Sequence, residues 1–218
     1  MKKVFLIGDS IKEGYDTSVR GMLASVAETY YPDDNARFAA YLLRFLHEWP
    51  KMFGVNGEDV DVVHWNVGLW DCLVIMDDGP QTPLPIYKEY IERICRRMKR
   101  VFPNAKFIFA TSTPTNTEAW KNPHYWIRRN EDIRAYNEAA AEIARRHGMA
   151  VNDLYALMEN VPREWFSDQT HYYTMAGTVA LTRQVAGAIC AELGCAVPAM
   201  TDAEILKNAP PDVKVYGI

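Results

Sequence analysis

Short apolar segments alternate with longer amphipathic segments along the chain, and this alternation limits the folds that the chain can adopt. The short segments are continuously apolar, as in strands that are buried on both faces. The longer segments repeat apolar residues at helical spacing, and the units recur at intervals of roughly 30 to 45 residues. This pattern predicts an α/β protein, a three-layer α/β/α sandwich with a central parallel sheet.

The same pattern places the individual elements. We predict strands at residues 4–7, 61–67, 106–110 and from 150 onwards. We predict helices soon after residue 10 and at 37–49, 87–102, 133–147 and 173–193. Because no repeat or low-complexity linker divides the chain, we expect one domain over residues 1–194. Residues 195–218 are then a C-terminal tail packed on that domain.

Composition restricts the partners that the chain can have. The 218 residues are 49% apolar and 24% charged, and the net charge of −4 argues against nucleic acid or an anionic membrane as a partner. No apolar stretch is long enough to span a bilayer. The apolar run after Lys2 and Lys3 is too short for a signal peptide, so we expect a cytoplasmic protein. The oligomeric state stays open.

The cysteines show no spacing typical of metal ligands. They are Cys72, Cys95, Cys190 and Cys195. In a reducing compartment we expect free structural thiols, and we expect neither a metal nor an organic cofactor.

The ends of the predicted strands carry the residues that can perform chemistry, because open α/β sheets bind ligands there. Ser10 follows the first strand, and Asp168 and His171 precede the last helix. A serine hydroxyl becomes a nucleophile when an imidazole takes its proton and a carboxylate holds the other ring nitrogen. The three-residue spacing lets Asp168 reach the ring of His171. Asp153 is a rival acid, and a capping role for Asp168 is the simpler alternative.

These segments resemble a known family. The Gly-Asp-Ser sequence ending at Ser10 and the Asp-Gln-Thr-His sequence ending at His171 resemble the first and last blocks of the SGNH (GDSL-type) hydrolases. The resemblance spans residues 4 to about 190 and implies that family's flavodoxin-like fold and ester hydrolase activity. It also implies that Ser10 is the nucleophile, His171 the general base and Asp168 its orienting partner.

The middle blocks, with which that family builds its oxyanion hole, match less well. Where the family has Gly-x-Asn-Asp, this chain has Gly-Leu-Trp-Asp from Gly68, with Trp70 in place of the asparagine. An indole offers one N–H and no amide. The oxyanion-hole candidates are therefore the Asn66 amide, Gly68 and the backbone at Ala36, where the family usually has glycine.

Polar and aromatic residues near these blocks are the substrate-binding candidates. They are Asp9, Asn35, Trp70 and Trp126. Asp9 is equally explained as a helix cap. Trp126 ends the sequence Trp-Lys-Asn-Pro-His-Tyr-Trp at residues 120–126, whose rings can either contact a sugar or pack over the core.

We therefore expect a serine esterase that hydrolyses small acyl esters, acetyl above all, on a sugar or oligosaccharide. Two alternatives stay open. A lysophospholipase or thioesterase would present an apolar groove to a longer acyl chain. A non-catalytic ligand-binding protein would keep the fold with an oxyanion hole disabled at Trp70.

Overall fold

The computed structural model describes residues 1–119 and 124–210. Its centre is a five-stranded, wholly parallel sheet in the order β2-β1-β3-β4-β5. The strands are β1 (Lys2–Ile7), β2 (Ala27–Tyr30), β3 (Val62–Trp65), β4 (Lys106–Ala110) and β5 (Ala150–Asn152). This strand order is that of flavodoxin-like doubly wound sheets, and it confirms the predicted fold class.

Helices form the two outer layers. They are α1 (Ser10–Glu13), α2 (Asp16–Leu23), α3 (Ala39–Phe45), α4 (Trp49–Met52), α5 (Leu84–Val101), α6 (Asn130–Arg146), α7 (Leu154–Met158), α8 (Met175–Leu193) and α9 (Asp202–Leu206). On one face, α8 packs against β3, β4 and β5 and against α2. On the other, α5 packs with α3 and α6. Within the described residues, no helix combines the length and the apolar character that crossing a membrane requires.

Burial explains why the first strand could be predicted. From Val4 to Ile7 every side chain of β1 is fully buried, because β1 lies inside the sheet with helices on both faces. Each fully buried side chain of this size contributes about 1.5–3 kcal/mol through the hydrophobic effect. A strand with two buried faces is continuously apolar, and this is the pattern seen in the sequence.

Two features of the first half of the chain differ from the sequence prediction. The edge strand β2 was not predicted, because its four residues alternate between buried and partly exposed positions and include Glu28 and Thr29. The helix predicted at 37–49 is two helices, since α3 ends at Phe45 and a separate helix begins at Trp49. Pro50 lies in the first turn of α4, where its missing N–H costs no hydrogen bond.

The described part of the tail contains a helix that its low periodicity did not indicate. Thr201 caps α9, and its side chain and that of Glu204 form a reciprocal capping box. Ile205 is fully buried where α9 packs against α2 and α8. The Ser18 hydroxyl donates to the Ile205 carbonyl oxygen at 3.4 Å.

Candidate active site

Ser10 lies where the sheet changes its direction of winding. The chain adds β2 on one side of β1 and then β3 on the other, so the carboxyl ends of β1 and β3 border a crevice. Asp9 turns the chain there, because its carboxylate accepts a hydrogen bond from the Ile11 N–H at 3.0 Å and caps α1. Ser10 is thereby the first residue of a helix at the mouth of this crevice.

Three side chains form a continuous hydrogen-bonded chain at the crevice. Ser10 Oγ lies 2.8 Å from His171 Nε2, and His171 Nδ1 lies 2.8 Å from Asp168 Oδ2. The other oxygen of Asp168 accepts the backbone N–H groups of Thr170 and His171 at 2.6 and 2.8 Å. One carboxylate therefore fixes both the turn and the ring of the histidine, as the spacing of three residues predicted.

The charge state of Asp168 suits this arrangement. Burial disfavours its ionised form, but the hydrogen bond and the charge of His171 outweigh burial and lower the pKa of Asp168 to about 2. Tyr173 supports the other side of the site. Its ring stacks on that of His171 with centroids 4.7 Å apart, and its hydroxyl donates to the Ser10 carbonyl oxygen.

Asp9 and Asn66 hold the turn from beneath and do not line the pocket. Both are buried, and the Asn66 amide donates to the Asp9 carboxylate at 2.9 Å. Burial raises the pKa of Asp9, while the hydrogen bonds from Asn66 and Ile11 oppose the rise. The Asn66 amide therefore uses one of its two N–H groups on Asp9, and both side chains lie below the pocket surface.

The candidates Asn35, Ala36 and Gly68 lie in loops behind the pocket. The Ala36 N–H donates to the Gly8 carbonyl oxygen at 2.9 Å, and the Asn35 side chain accepts the Arg37 N–H at 2.8 Å. Gly68 has a φ of +143°, and a Cβ at this position would lie 2.9 Å from the Tyr87 hydroxyl oxygen. Ala36, Asn35 and Gly68 therefore shape the walls behind the pocket and do not line it.

Asp71 joins two of these loops. Its carboxylate oxygens lie 3.1 and 3.0 Å from the Ala39 backbone nitrogen, which donates to them at the start of α3. Burial raises the pKa of Asp71 to about 7. Asp71 therefore fixes the segment that follows β3 against the segment that precedes α3.

The pocket above Ser10 has a volume of about 760 Å³. It is lined by Ser10, Trp70, Ala119, Tyr125, Trp126, Arg128, Ser167, Asp168, Gln169, Thr170 and His171. Trp70 and Trp126 meet edge to face, with ring centroids 6.0 Å apart. Trp126 is 41% exposed and Tyr125 43% exposed, so one wall presents aromatic surface to an incoming ligand.

The segment that carries this wall is bonded to the loop after β3. Val74 and Ile127 exchange backbone hydrogen bonds at 2.9 and 3.0 Å, and the His124 ring pairs with the Asp77 carboxylate. Trp126 is held at a φ of +61° between these attachments. The residues 120–123 of the predicted aromatic segment lie outside the described residues.

Arg128 is a pocket residue that the sequence reasoning missed. It is only 5% exposed, and its Nε donates to the Leu69 carbonyl oxygen at 2.6 Å. Its guanidinium carbon lies 5.8 Å from the centroid of the Trp70 ring and 6.0 Å from that of Trp126. Within residues 1–119 and 124–210, no acidic side chain lies within ion-pair distance of it.

Among the described residues, no group of three or more His, Cys, Asp and Glu side chains could hold a metal ion. All cysteines are free thiols, and burial raises the pKa of Cys72 and of Cys95 to about 12. These thiols are therefore protonated near neutral pH.

Comparison with known proteins places the chain in a family. The sequence profile of the GDSL-like Lipase/Acylhydrolase family matches residues 6–177, which include Ser10, Asp168 and His171. A search of curated proteins finds no significant match.

Solved structures that share the fold include three ester hydrolases. A lipase/acylhydrolase from Enterococcus faecalis has a TM-score of 0.65 at 20% identity, over 92% of this chain and 100% of that chain. An acetylxylan esterase from Geobacillus stearothermophilus has a TM-score of 0.64 at 17% identity, over 92% of this chain and 97% of that chain. Another acetyl xylan esterase has a TM-score of 0.65 at 17% identity, over 86% of this chain and 99% of that chain. At these identities the likeness establishes the fold.

Proposed function

Because the chain belongs to the GDSL-like lipase/acylhydrolase family of ester hydrolases, we propose that it removes small acyl groups, acetyl above all, from carbohydrate esters. The observation that carries the proposal is the hydrogen-bonded chain from Ser10 through His171 to Asp168, which opens into an aromatic-walled pocket. The activated serine supports ester hydrolysis, and the aromatic wall supports a carbohydrate as the alcohol part of the ester.

The arrangement supports a two-step reaction. Ser10 Oγ attacks the ester carbonyl carbon while its proton passes to His171 Nε2, and His171 then gives that proton to the departing alcohol. Water, activated by the same nitrogen, releases the acid from the acyl-enzyme. Asp168 keeps the proton of the neutral ring on Nδ1, which leaves Nε2 free to accept.

The aromatic wall supports a carbohydrate as the alcohol. Aromatic rings offer apolar faces that suit the C–H face of a sugar, and their polar edges can form hydrogen bonds. Trp126 and Tyr125 are exposed at the wall, and Gln169 and Ser167 add polar groups around the pocket. Two of the similar structures are described as acetylxylan esterases, which agrees with this choice.

An ester series tests the substrate class. We expect kcat/KM for p-nitrophenyl esters to fall from acetyl to octanoyl, and acetylated xylo-oligosaccharides to release acetate. Initial rates measure kcat/KM on the p-nitrophenyl esters, and an assay for free acetate at the same pH measures release from the oligosaccharides. A rate that rises towards octanoyl would instead indicate a lysophospholipase- or thioesterase-type enzyme and would overturn the acetylesterase proposal.

Replacing Trp126 by alanine tests the sugar-binding role of the wall. We expect KM for an acetylated xylo-oligosaccharide to rise about fivefold, because a stacking ring contributes on the order of 1 kcal/mol. The rate on p-nitrophenyl acetate, which has no sugar, should stay within about twofold. Phe53→Ala is the matched control, since Phe53 is also 41% exposed and lies away from the pocket. Equal losses on both esters would indicate that Trp126 supports the pocket and does not bind sugar.

A further inference from the structure

Arg128 is a buried cation in the pocket, and it forms no ion pair with any of the described residues. A charged group removed from water is costly unless an opposite charge or hydrogen bonds compensate it. The described residues offer it one hydrogen-bond acceptor, the Leu69 carbonyl oxygen, and two aromatic rings, which compensate a cation in part. Asp9 and Asp168 act on its charge only from beyond ion-pair distance, so among the described residues the terminal N–H groups of the guanidinium have no acceptor and can bind a negative charge in the pocket.

The structure fixes the position of this guanidinium. The Thr115 hydroxyl donates to the Arg128 carbonyl oxygen at 2.8 Å, which ties its backbone to the loop after β4. The Leu69 carbonyl oxygen holds Nε, and the rings of Trp70 and Trp126 lie against the guanidinium. A donor that is held before the reaction needs no reorganisation when negative charge develops.

Two of the predicted oxyanion donors form hydrogen bonds within the protein. The Asn66 amide donates one N–H to Asp9, and the Ala36 N–H donates to the Gly8 carbonyl oxygen. The backbone N–H of Ser10 lies in the first turn of α1, where helix geometry provides no intrahelical acceptor. The pocket thus combines one backbone donor at the nucleophile with one buried guanidinium.

We propose that Arg128 is a catalytic residue that binds the oxyanion of the tetrahedral intermediate, together with the Ser10 backbone N–H; this inference rests on the proposed function. When the bond from Ser10 Oγ to the carbonyl carbon forms, the serine proton moves to His171 Nε2 and the carbonyl π electrons move onto oxygen. The free N–H groups of the guanidinium donate to that oxygen. When the bond to the leaving alcohol breaks, the pair returns to the carbonyl and His171 protonates the alkoxide.

The electrostatic interaction between Arg128 and Asp9 agrees with an oxyanion role for Arg128. Burial raises the pKa of Asp9, and the positive charge of Arg128 is among the effects that oppose the rise. Asp9 directly precedes Ser10, so the charge of Arg128 acts on the turn that carries the nucleophile.

The test compares Arg128→Gln with wild type on two substrates. These are p-nitrophenyl acetate, which is neutral, and the p-nitrophenyl half ester of succinic acid, which carries a carboxylate. We expect kcat and kcat/KM to fall together by about 100- to 1000-fold on both substrates, because the lost interaction exists only in the transition state. Arg129→Gln is the matched control, since Arg129 is the exposed neighbour in the sequence, and it should keep the wild-type rate.

A second variant distinguishes the loss of a catalytic group from the loss of the folded structure. Arg128→Met keeps an apolar stem between the two rings, and replacing a buried charge by an apolar group is often tolerated. A folded Met variant, by circular dichroism, with a comparable loss of kcat supports the inference. A wild-type rate on the neutral acetate in either folded variant overturns it. So does a loss confined to KM for the anionic half ester, which would make Arg128 a substrate-carboxylate anchor.

Ser10→Ala, assayed in parallel, separates this inference from the proposed function. If Ser10→Ala is inactive while the Arg128 variants keep full activity, only the oxyanion role of Arg128 fails. If Ser10→Ala keeps its activity, the serine esterase proposal fails, and the oxyanion role fails with it.

Discussion

Replacing Ser10 by alanine is expected to lower kcat/KM for p-nitrophenyl acetate by roughly 10⁴- to 10⁶-fold. The change removes the hydroxyl 2.8 Å from His171 Nε2 and leaves the base without a proton to take. The turn itself should persist, because the Asp9 side chain caps α1 without the serine hydroxyl. Initial rates and circular dichroism of both proteins provide the comparison.

Covalent labelling identifies the nucleophile directly. A serine-directed fluorophosphonate should add one adduct to the intact mass of wild type and none to Ser10→Ala. Ser18→Ala is the matched control, since Ser18 is a buried serine of α2 whose hydroxyl donates to the Ile205 carbonyl oxygen; it should be labelled like wild type. A folded wild-type protein that takes no adduct would favour a non-catalytic ligand-binding protein.

The elements and groups that could be predicted are those whose determinants are local. The continuous apolar run of β1 reflects burial on both faces, so the sequence alone indicates a parallel sheet. Asp168 and His171 share one turn, and a spacing of three residues is enough to predict their contact. Ser10 could be placed with them because it directly follows a predicted strand.

The hydrogen bonds of the predicted oxyanion donors could not be foreseen from the sequence, because these contacts join distant parts of the chain. The bond between Asn66 and Asp9 links residues 57 positions apart, and it decides that the amide points beneath the turn. The hydrogen bond from Ala36 to Gly8 likewise depends on how the loop after β2 returns to β1. Neither orientation follows from alternation along a single strand.

The burial of Arg128 could not be predicted from the sequence either, because it depends on contacts with distant parts of the chain. Its neighbour Arg129 has the same side chain, but Arg129 forms an exposed pair with Asp132 while Arg128 is 5% exposed. The difference arises because Val74 bonds to Ile127 and Leu69 accepts the Arg128 Nε–H. These tertiary contacts single out one arginine of an otherwise ordinary basic pair.

Replacing Asp168 by asparagine is expected to lower kcat by about 10³- to 10⁴-fold with the turn preserved. The amide oxygen can still accept the backbone N–H groups of Thr170 and His171, which places the amide nitrogen opposite Nδ1. An N–H donated to Nδ1 forces the ring proton onto Nε2, where it blocks transfer from Ser10. Steady-state rates on p-nitrophenyl acetate measure the loss.

The same variant should also change how the stability of the protein depends on pH. Since the pKa of Asp168 falls to about 2, below its ordinary 3.8, the interactions with His171 and with the backbone N–H groups that lower it stabilise the fold above about pH 4, and this contribution is lost as the pH falls towards 2. The difference in unfolding free energy between wild type and Asp168→Asn should therefore shrink between pH 4 and pH 2.

Asp153→Asn is the control for the activity measurement, because Asp153 caps α7 and accepts the Thr111 hydroxyl. If Asp153→Asn lost the activity and Asp168→Asn kept it, Asp153 would be the acid that serves His171.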